Sequence, residues 1–320
     1  MNRRNFLRHT GIAAGAALTA LRPSSTNAAE KKHTIALVMK ALSNPFFHAM
    51  EMGAKEEAQK LGIDLLSQGT NKETDVAQQV SIVENFMTRR VDAIVIAPAS
   101  SSGLVPVLYR AQMQGIYIVN IDNPLDEQTK KQLNFKCPFV GSDNALGAAL
   151  AAHDLVAAMG GVGEVAILEG IPGVINAELR KQGARRILDA EPHVKVVASQ
   201  TAEWETDKAY QAFTNILTVH PNLKGLFASN DSMALGAIRA IEAAGKTGQI
   251  AVTSYDNLEA AQKEVLAGKI ISTIEQHPEL MGAYGVRAAK DHLDGKDVPE
   301  HITTPLEVID YRYLSLKKSS

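Results

Sequence analysis

Short apolar runs and longer helix-length segments alternate along this chain from Lys32 onward, and this alternation limits the possible folds more than any other feature. Each apolar run holds consecutive Ile, Val and Leu residues, which is typical of parallel strands buried on both faces of a sheet. The runs span residues 34–39, 63–66, 93–97, 116–121, 164–168, 194–198, 225–228 and 250–254. The helix-length segments span residues 46–61, 75–89, 144–159, 177–189, 208–220, 232–244 and 278–293. This order of elements predicts βαβ units and an α/β fold with doubly wound parallel sheets.

The predicted strands are too many for one six-stranded sheet. Four strand–helix units precede Phe139, and four more lie between Glu164 and Ser254. The length of 320 residues suits two domains of roughly 100–200 residues each. We therefore predict two similar α/β lobes with a break at residues 136–142, joined by short crossings that form a hinge. Because ligands of open α/β sheets bind beyond the carboxyl ends of the strands, two facing lobes would enclose a ligand in the cleft between them.

The first 29 residues have the pattern of an export signal. An Arg3-Arg4 pair is followed by an uncharged apolar stretch, residues 11–21, and then by small polar residues. This order predicts a twin-arginine-like signal peptide, cleaved near Ala28 or Ala29, and an amphipathic first helix is the alternative. The apolar stretch has eleven residues, whereas a membrane span needs about 20, so a permanent anchor is not expected. Cleavage would leave 29 basic and 35 acidic residues, a net charge of −6, and the expected location is the bacterial periplasm.

The composition of the chain argues against several classes of function. The net charge of −2 leaves no basic surface for nucleic acid. A single cysteine, Cys137, excludes an intrachain disulfide and a multi-cysteine metal cluster. His153, His220 and His292 lie in helical segments without a partner at metal-ligand spacing, and the sequence has no P-loop and no G-x-S-x-G motif. We therefore predict no catalytic residue, no cofactor and no metal site.

Polar and aromatic side chains follow the predicted strands, where a ligand would bind. They are Lys40, Asn44, Phe46 and Phe47; Asp122 and Asn123; Arg180; Trp204; Asn230 and Asp231; Asp256; and Gln276. Amides, carboxylates and arginine supply the donors and acceptors that sugar hydroxyls need, and aromatic rings stack on the C–H faces of a sugar. This combination predicts a polyhydroxylated ligand. Each residue also has a structural alternative: the Asn and Asp residues as helix caps, the Phe residues as core, and Trp204 as a buried anchor.

Several long phrases give the mature chain a resemblance to a known family. K-A-L-S-N-P-F at 40–46, G-I-Y-I-V-N-I-D at 115–122 and N-D-S-M-A-L-G at 230–236 resemble the periplasmic sugar-binding proteins of ribose-type ABC transporters. Among these the phrases are most similar to D-allose-binding and D-ribose-binding proteins. The resemblance implies a type I periplasmic binding protein fold with three crossings between the lobes. The implied ranges are 30–142 plus 277–305 for lobe 1 and 143–276 plus 306–320 for lobe 2.

The resemblance also implies a function and a set of ligand contacts. The implied protein is a non-enzymatic receptor, expected as a monomer, that delivers a monosaccharide to a membrane permease; a chemoreceptor is left open as a second partner. Lobe 1 would contribute Asn44, Phe46, Phe47 and Asp122, with Lys40 matching the allose-type binders. Lobe 2 would contribute Arg180, Trp204, Asn230 and Asp256, with Gln276 close to a hinge crossing.

Asn123 is where the chain departs from both groups of relatives. Ribose-type members have an arginine there and allose-type members a glutamate, whereas this chain has a neutral amide. We predict that Asn123 reads one hydroxyl of a neutral sugar, and a turn at Asn123-Pro124 is the alternative. Other ligands, namely a polyol, a cyclitol or a furanose, stay open, as do two other classes of protein. These are a sugar-responsive repressor domain, disfavoured by the export signal, and a sugar-modifying enzyme using Asp122 and Asp256.

Overall fold

The computed structural model describes residues 32–318, which form two six-stranded sheets with helices on both faces. The first sheet contains β1 (Thr34–Met39), β2 (Asp64–Gly69), β3 (Ala93–Ile96), β4 (Tyr117–Ile121), β5 (Phe139–Gly141) and β11 (His301–Thr303). The second sheet contains β6 (Gly163–Glu169), β7 (Val194–Thr201), β8 (Leu223–Ala228), β9 (Ala251–Thr253), β10 (Ser272–Glu275) and β12 (Glu307–Asp310). We call each sheet with its helices a lobe. The two predicted α/β lobes are therefore confirmed.

Eleven helices connect or flank these strands in the described part of the chain. Lobe 1 has α1 (Pro45–Lys60), α2 (Val76–Thr88), α3 (Val105–Met113), α4 (Glu127–Gln132) and α10 (Pro278–Leu293). Lobe 2 has α5 (Asn144–Ala158), α6 (Ile175–Leu188), α7 (Thr206–Val219), α8 (Asp231–Ala243), α9 (Glu259–Leu266) and α11 (Tyr311–Lys318). Over residues 32–318, no helix combines the length and the hydropathy that crossing a membrane requires.

The two sheets have the same strand arrangement. The order is β2-β1-β3-β4-β5-β11 in lobe 1 and β7-β6-β8-β9-β10-β12 in lobe 2. The pairs are parallel, except that β12 runs antiparallel to β10 at the edge of the second sheet. All loops at the carboxyl ends of the parallel strands therefore lie on one side of each lobe, where the ligand residues were predicted.

Each sheet is buried on both faces, which explains its continuous apolar strands. In β1, Ile35, Leu37 and Met39 pack into one core cluster, whereas Ala36 and Val38 pack into another on the opposite face. All five side chains are fully buried. A strand that alternates between two cores has no solvent-facing position, so it shows no polar alternation in its sequence.

The chain crosses between the lobes three times, after β5, after β10 and between β11 and β12. The three crossings are hydrogen bonded to one another around Gln276. The Ser142 hydroxyl donates to Gln276 Oε1 (3.0 Å), the Thr304 hydroxyl donates to the carbonyl of Gln276 (3.0 Å), and Thr304 N donates to the carbonyl of Gly141 (3.1 Å). The crossings thus form one connected segment beside the cleft.

Candidate ligand-binding site

A cavity with about 20 Å³ of free space lies between the lobes at the carboxyl ends of the strands. Both lobes contribute to its lining, which consists of Lys40, Asn44, Phe46, Phe47, Glu73, Asp122, Asn176, Arg180, Trp204, Asn230 and Asp256. Nine of these are among the twelve residues listed after the predicted strands; Glu73 and Asn176 are not. A wider groove of about 640 Å³ borders the opposite, amino-terminal ends of β4 and β5 and is lined by lobe 1 alone. We place the site in the smaller cavity because residues of both lobes line it.

The first helix begins at the cavity, and its start places one amide and two rings there. The Asn44 side chain accepts a hydrogen bond from Phe46 N (3.0 Å) and so caps α1, while its Nδ2 donates to Glu73 Oε1 (2.8 Å). Phe46 and Phe47 meet edge to face with ring centroids 5.2 Å apart. Asn44 is therefore both a cap and part of the lining, so the two predicted roles coexist in one residue.

Lys40 and Asp122 form a buried ion pair on the lobe 1 side of the cavity. Lys40 Nζ lies 3.3 Å from Asp122 Oδ2 and 5.2 Å from the centroid of the Phe47 ring. Asp122 has a backbone φ of +64°, a value that residues other than glycine rarely adopt. Such a strained backbone conformation persists only where the surrounding structure stabilises it. At Asp122 this conformation directs the carboxylate toward the cleft.

Arg180 organises the lobe 2 side from α6. Its Nε donates to Asn144 Oδ1 (2.7 Å), and its Nη1 donates to the carbonyl of Ser229 (2.8 Å) and to Asp256 Oδ1 (3.3 Å). The guanidinium carbon lies 3.8 Å from the centroid of the Tyr255 ring. Arg180 is only 3% exposed. The planar guanidinium is thus fixed by partners on three sides, which prepares its orientation before a ligand arrives.

Two carboxyls at the cavity have raised pKa values. Burial raises the pKa of Asp256 well above its ordinary value, against the opposing effect of the Arg180 charge. Burial also raises the pKa of the Glu73 carboxyl, while Lys40 and the hydrogen bond from Asn44 oppose the shift. Each of these carboxyls also accepts a hydrogen bond from a side-chain amide, Asp256 from Gln276 and Glu73 from Asn44.

Trp204 and Asn230 complete the lobe 2 lining. Trp204 has a φ of +69° and is 6% exposed. Its ring packs so closely on Gly170 that a Cβ added at that glycine would lie 2.0 Å from a ring carbon. Asn230 accepts from Met233 N (2.9 Å) and so caps α8, while its Nδ2 contacts the carbonyl of Trp204 (3.4 Å). A glycine after β6 therefore makes room for the aromatic side of the cavity.

Asp231 does not line the cavity, but it holds together the elements that carry the lining residues of lobe 2. It is fully buried, and its carboxylate accepts from the Ser254 hydroxyl (2.5 Å), the Thr273 hydroxyl (2.8 Å) and Leu258 N (2.6 Å). Burial raises its pKa to about 7, although these three donors favour the charged form. Asp231 thereby ties the ends of β9 and β10 to α8, and Asp256 follows directly after β9.

Known proteins share the sequence pattern and the fold of this chain. Residues 35–297 match the family model described as a periplasmic binding protein domain. The chain belongs to the periplasmic binding protein family. It is 41% identical over 288 residues to the D-ribose/D-allose-binding protein of Pseudomonas aeruginosa, covering 87% of this chain and 89% of that protein. It is 35% identical to the D-allose-binding periplasmic protein of Escherichia coli, covering 86% and 89% of the two chains.

A solved structure shows the same architecture with a sugar in place. A periplasmic solute-binding protein of an ABC transporter from Actinobacillus succinogenes, with bound D-allose, superposes with a TM-score of 0.85 at 41% identity. The match covers 89% of this chain and all of that one. This periplasmic binding protein is accordingly of the ribose/allose ABC-transporter type, with the type I fold, and it is a binding protein and not an enzyme.

Gln276 lies in the hinge and not on the cavity of this periplasmic binding protein. Its Nε2 donates to Asp256 Oδ1 (2.7 Å), and its remaining side-chain and backbone oxygens hold the other two crossings. It therefore connects the hinge to a carboxyl of the cavity. Its predicted contact with a ligand stays a prediction, since Gln276 is not part of the cavity lining.

Asn123 is also absent from the cavity lining, and here the structure differs from the prediction. The side chain is fully buried, with Nδ2 donating to the carbonyl of Pro98 (3.2 Å) and to the Ser101 hydroxyl (3.2 Å). Its Oδ1 accepts from Asn176 N of lobe 2 (3.3 Å). Both ends of the Asn123 amide are therefore bonded to protein groups, and the side chain does not face the cavity. It bridges the two lobes beside the cavity.

The two lining residues that the sequence reasoning missed lie where element ends were misjudged. The apolar run at 63–66 ends before β2 does, because β2 continues through polar residues to Gly69. If β2 is taken to end at Gly69, Glu73 lies in the loop after the strand, where ligand-binding residues are expected. Likewise α6 begins at Ile175, two residues before its predicted start, and this moves Asn176 into the helix terminus that faces the cleft.

One group of potential metal ligands occurs among residues 32–318 outside the cavity. Ligand atoms of Glu275, His277 and Glu279 lie within 4.8 Å of one another. Glu275 accepts from His277 N (2.6 Å) and from Asn257 Nδ2 (2.6 Å), and the His277 ring contacts Glu279 (3.1 Å). Because these groups already bond to one another, we assign no metal site to them.

Proposed function

We propose that this protein is the receptor of an ABC sugar importer that encloses one neutral aldose, a hexose or pentose such as allose or ribose, between its lobes. The observation that carries the proposal is the composition of the cavity. Each lobe supplies a buried pair of opposite charges, Lys40 with Asp122 and Arg180 with Asp256, and an aromatic surface. Sugar hydroxyls bond to such pairs, and the C–H faces of the ring stack on aromatic side chains.

The closed cavity is small, which favours a small ligand. Its free space of about 20 Å³ lies well below the about 300–1,000 Å³ that is usual for small-molecule sites. Any sugar would have to move the lobes or the lining side chains apart. A monosaccharide would need less of this movement than a disaccharide, so we propose a monosaccharide.

The charges at the cavity favour a neutral ligand. Both cations, Lys40 and Arg180, already face an aspartate, and Glu73 adds a further acid. An anionic ligand would compete with these carboxylates for the two cations while being desolvated, which is costly. A neutral polyhydroxylated ligand has no such conflict.

The proposal includes the movement of two bodies about the hinge. The first body comprises residues 30–142 and 277–305, and the second comprises residues 143–276 and 306–320. The chain passes from one body to the other at each of the three crossings. In support, the crossings are short and lie side by side, so a small change in their backbone angles would rotate one lobe against the other. The closed form would present the loaded sugar to a membrane permease, with a chemoreceptor as a second possible partner.

Export to the periplasm is also part of the proposal. The predicted twin-arginine-like signal, residues 1–29 with cleavage near Ala28 or Ala29, lies outside the described residues. Membership of the periplasmic binding protein family supports a periplasmic location. We propose that the mature receptor acts there as a monomer.

Calorimetric titration of the mature protein with a panel of sugars tests the function. We expect saturable one-to-one binding of D-allose or D-ribose and weaker binding of polyols and myo-inositol. The fluorescence of Trp204, the one tryptophan of the chain, should change in the same titration. Binding of cyclitols or polyols in preference to all aldoses would move the ligand to that alternative class. Conversion of any sugar in the panel to a product would contradict a receptor role.

A further inference from the structure

The first turn of α6 is capped by the opposite lobe. The residue before the helix, Val174, has no side-chain group that caps it. Instead, Ile175 N donates to the Ser101 hydroxyl (3.0 Å) and Asn176 N donates to Asn123 Oδ1 (3.3 Å). Ser101 and Asn123 belong to the loops after β3 and β4 in lobe 1. The first two N–H groups of α6 have no acceptor within the helix, and each donates instead to a side chain of lobe 1 across the cleft.

The lobe 1 acceptors are held in place before the lobes meet. Asn123 Nδ2 donates to the carbonyl of Pro98 (3.2 Å), and Asn120 Nδ2 donates to the carbonyl of Asn123 (2.9 Å). Asn120, Asn123 and Ser101 are all at most 2% exposed. These contacts lie within lobe 1, so they keep Asn123 Oδ1 directed toward lobe 2 independently of closure.

Asn176 presents a second polar group at the same place. It lines the cavity and is 4% exposed, and its side-chain oxygen is buried without a hydrogen-bond partner among the described residues. A buried carbonyl oxygen without a donor is unfavourable. A hydroxyl hydrogen of a sugar in the cavity would satisfy it, because every sugar hydroxyl can donate one hydrogen bond.

We propose that Asn176 is a ligand contact whose position is set by lobe closure: its backbone N–H docks on Asn123 of lobe 1, and its side-chain oxygen accepts a hydroxyl hydrogen of the bound sugar. The inference rests on the proposed function. Opening the cleft removes the acceptors of the α6 terminus and withdraws the Asn176 oxygen from the sugar. Asn176 therefore takes part both in lobe closure and in ligand recognition. Asn123 acts as the positioning residue of Asn176.

The test uses the mature full chain, D-allose and D-ribose, and the fluorescence of Trp204 in equilibrium and stopped-flow measurements. The variant Asn176→Leu removes the oxygen and keeps the number and the branching of the side-chain heavy atoms. We expect its Kd to rise about tenfold or more, mainly through faster dissociation. Its melting temperature without sugar should not fall, because no hydrogen bond of that side chain is lost. The exposed Asn215 of α7 provides the control, and Asn215→Leu should bind sugar as the wild type does.

A double-variant cycle tests the positioning role of Asn123. If Asn123 places Asn176, the loss caused by Asn176→Leu should be smaller in an Asn123→Ala background than in the wild type. Fully additive losses would overturn this link. Wild-type affinity in Asn176→Leu would overturn the ligand contact while leaving the receptor function intact. A wild type that binds neither these sugars nor any other in the panel would overturn the proposed function itself, and the inference with it.

Discussion

Asp122 and Asp256 hold equivalent places in the two lobes. Each follows the fourth strand of its lobe, and each has a positive φ, +64° and +109°. Asp122 N donates to the carbonyl of Val140 (2.9 Å), and Asp256 N donates to the carbonyl of Ile274 (2.8 Å). The neighbouring fifth strand thus holds both unusual conformations, and each aspartate faces a cation from its own lobe.

Substitutions of Asp122 separate its ligand role from its backbone strain. We expect Asp122→Ala and Asp122→Gly to lose sugar affinity to the same degree, because both remove the carboxylate that faces Lys40. Asp122→Gly should be the more stable of the two by about 1 kcal/mol, since glycine adopts a positive φ without steric cost. Calorimetry measures the affinities and urea denaturation the stabilities. Equal stabilities would show that the strain at this position is unimportant.

Arg180 offers a test of geometry at constant charge. Lysine cannot reach Asn144, the Ser229 carbonyl and Asp256 together, because it lacks the planar fork of a guanidinium. We expect Arg180→Lys to weaken sugar binding at least tenfold, about 1.4 kcal/mol. The control is Arg185→Lys on the exposed side of the same helix, which should bind sugar normally. Unchanged affinity in Arg180→Lys would reduce the role of Arg180 to its charge.

Among the elements, the long buried strands were predictable and the short ones were not. All eight apolar runs are strands, because a strand buried on both faces has an apolar sequence that no loop shares. The eight runs do not include β5, β10, β11 and β12, which have three or four residues each, and β11 lies at a sheet edge with exposed side chains. The predicted helical segments leave out α3, α4, α9 and α11, of which α4 is a six-residue polar helix without a buried side chain. The shortest of these elements are too short to show a periodic pattern of their own.

In the site, too, the position of a residue along the chain was easier to predict than the direction of its side chain. Strand ends are visible in the sequence, so residues such as Asp122 and Asp256 were found. Whether a side chain at a strand end faces the cavity or a neighbouring loop depends on backbone angles that the sequence does not reveal. Asn123 follows Asp122 directly, yet its amide lies in a pocket formed by Pro98 and Ser101. The role of Asn123 could therefore only be read from the structure.

His277 makes the second crossing sensitive to pH. Its Nδ1 lies 3.1 Å from Glu279 of α10 and its Nε2 lies 3.1 Å from Glu307 of β12, so the ring connects the two lobes. Both nitrogens can donate only in the charged ring. Burial lowers the pKa of His277, but the bonds to both glutamates and the nearby charge of Glu275 outweigh it and raise the pKa.

The raised pKa of His277 predicts the sign of a stability change. The folded-state pKa exceeds the unfolded value of about 6.5, so this stabilisation is complete below that pH and is lost as pH rises through the folded-state pKa. Urea denaturation should therefore show that His277→Gln costs more stability at pH 5.5 than at pH 8.5. His153→Gln, at an exposed position of α5, is the control and should show little change with pH. A cost for His277→Gln that is equal at both pH values would contradict the charged bridge.

At the scale of the whole molecule, the account depends on movement between the lobes. Gln276 joins the three crossings to Asp256, and Asn123 joins lobe 1 to the start of α6. The contact of Asn123 with Asn176 spans the cleft, so this contact depends on the closed arrangement. A ligand that touches both lobes stabilises this arrangement through its higher affinity for the closed form.

Small-angle X-ray scattering of the mature protein, with and without saturating D-allose, tests this central claim directly. The matched control is Arg180→Lys at the same sugar concentration, chosen so that this variant is not saturated. We predict that the radius of gyration of the wild type decreases when the sugar binds and that the control changes less. A wild-type scattering profile that stays the same at a concentration where calorimetry shows full occupancy would contradict the account of a receptor that closes around its sugar.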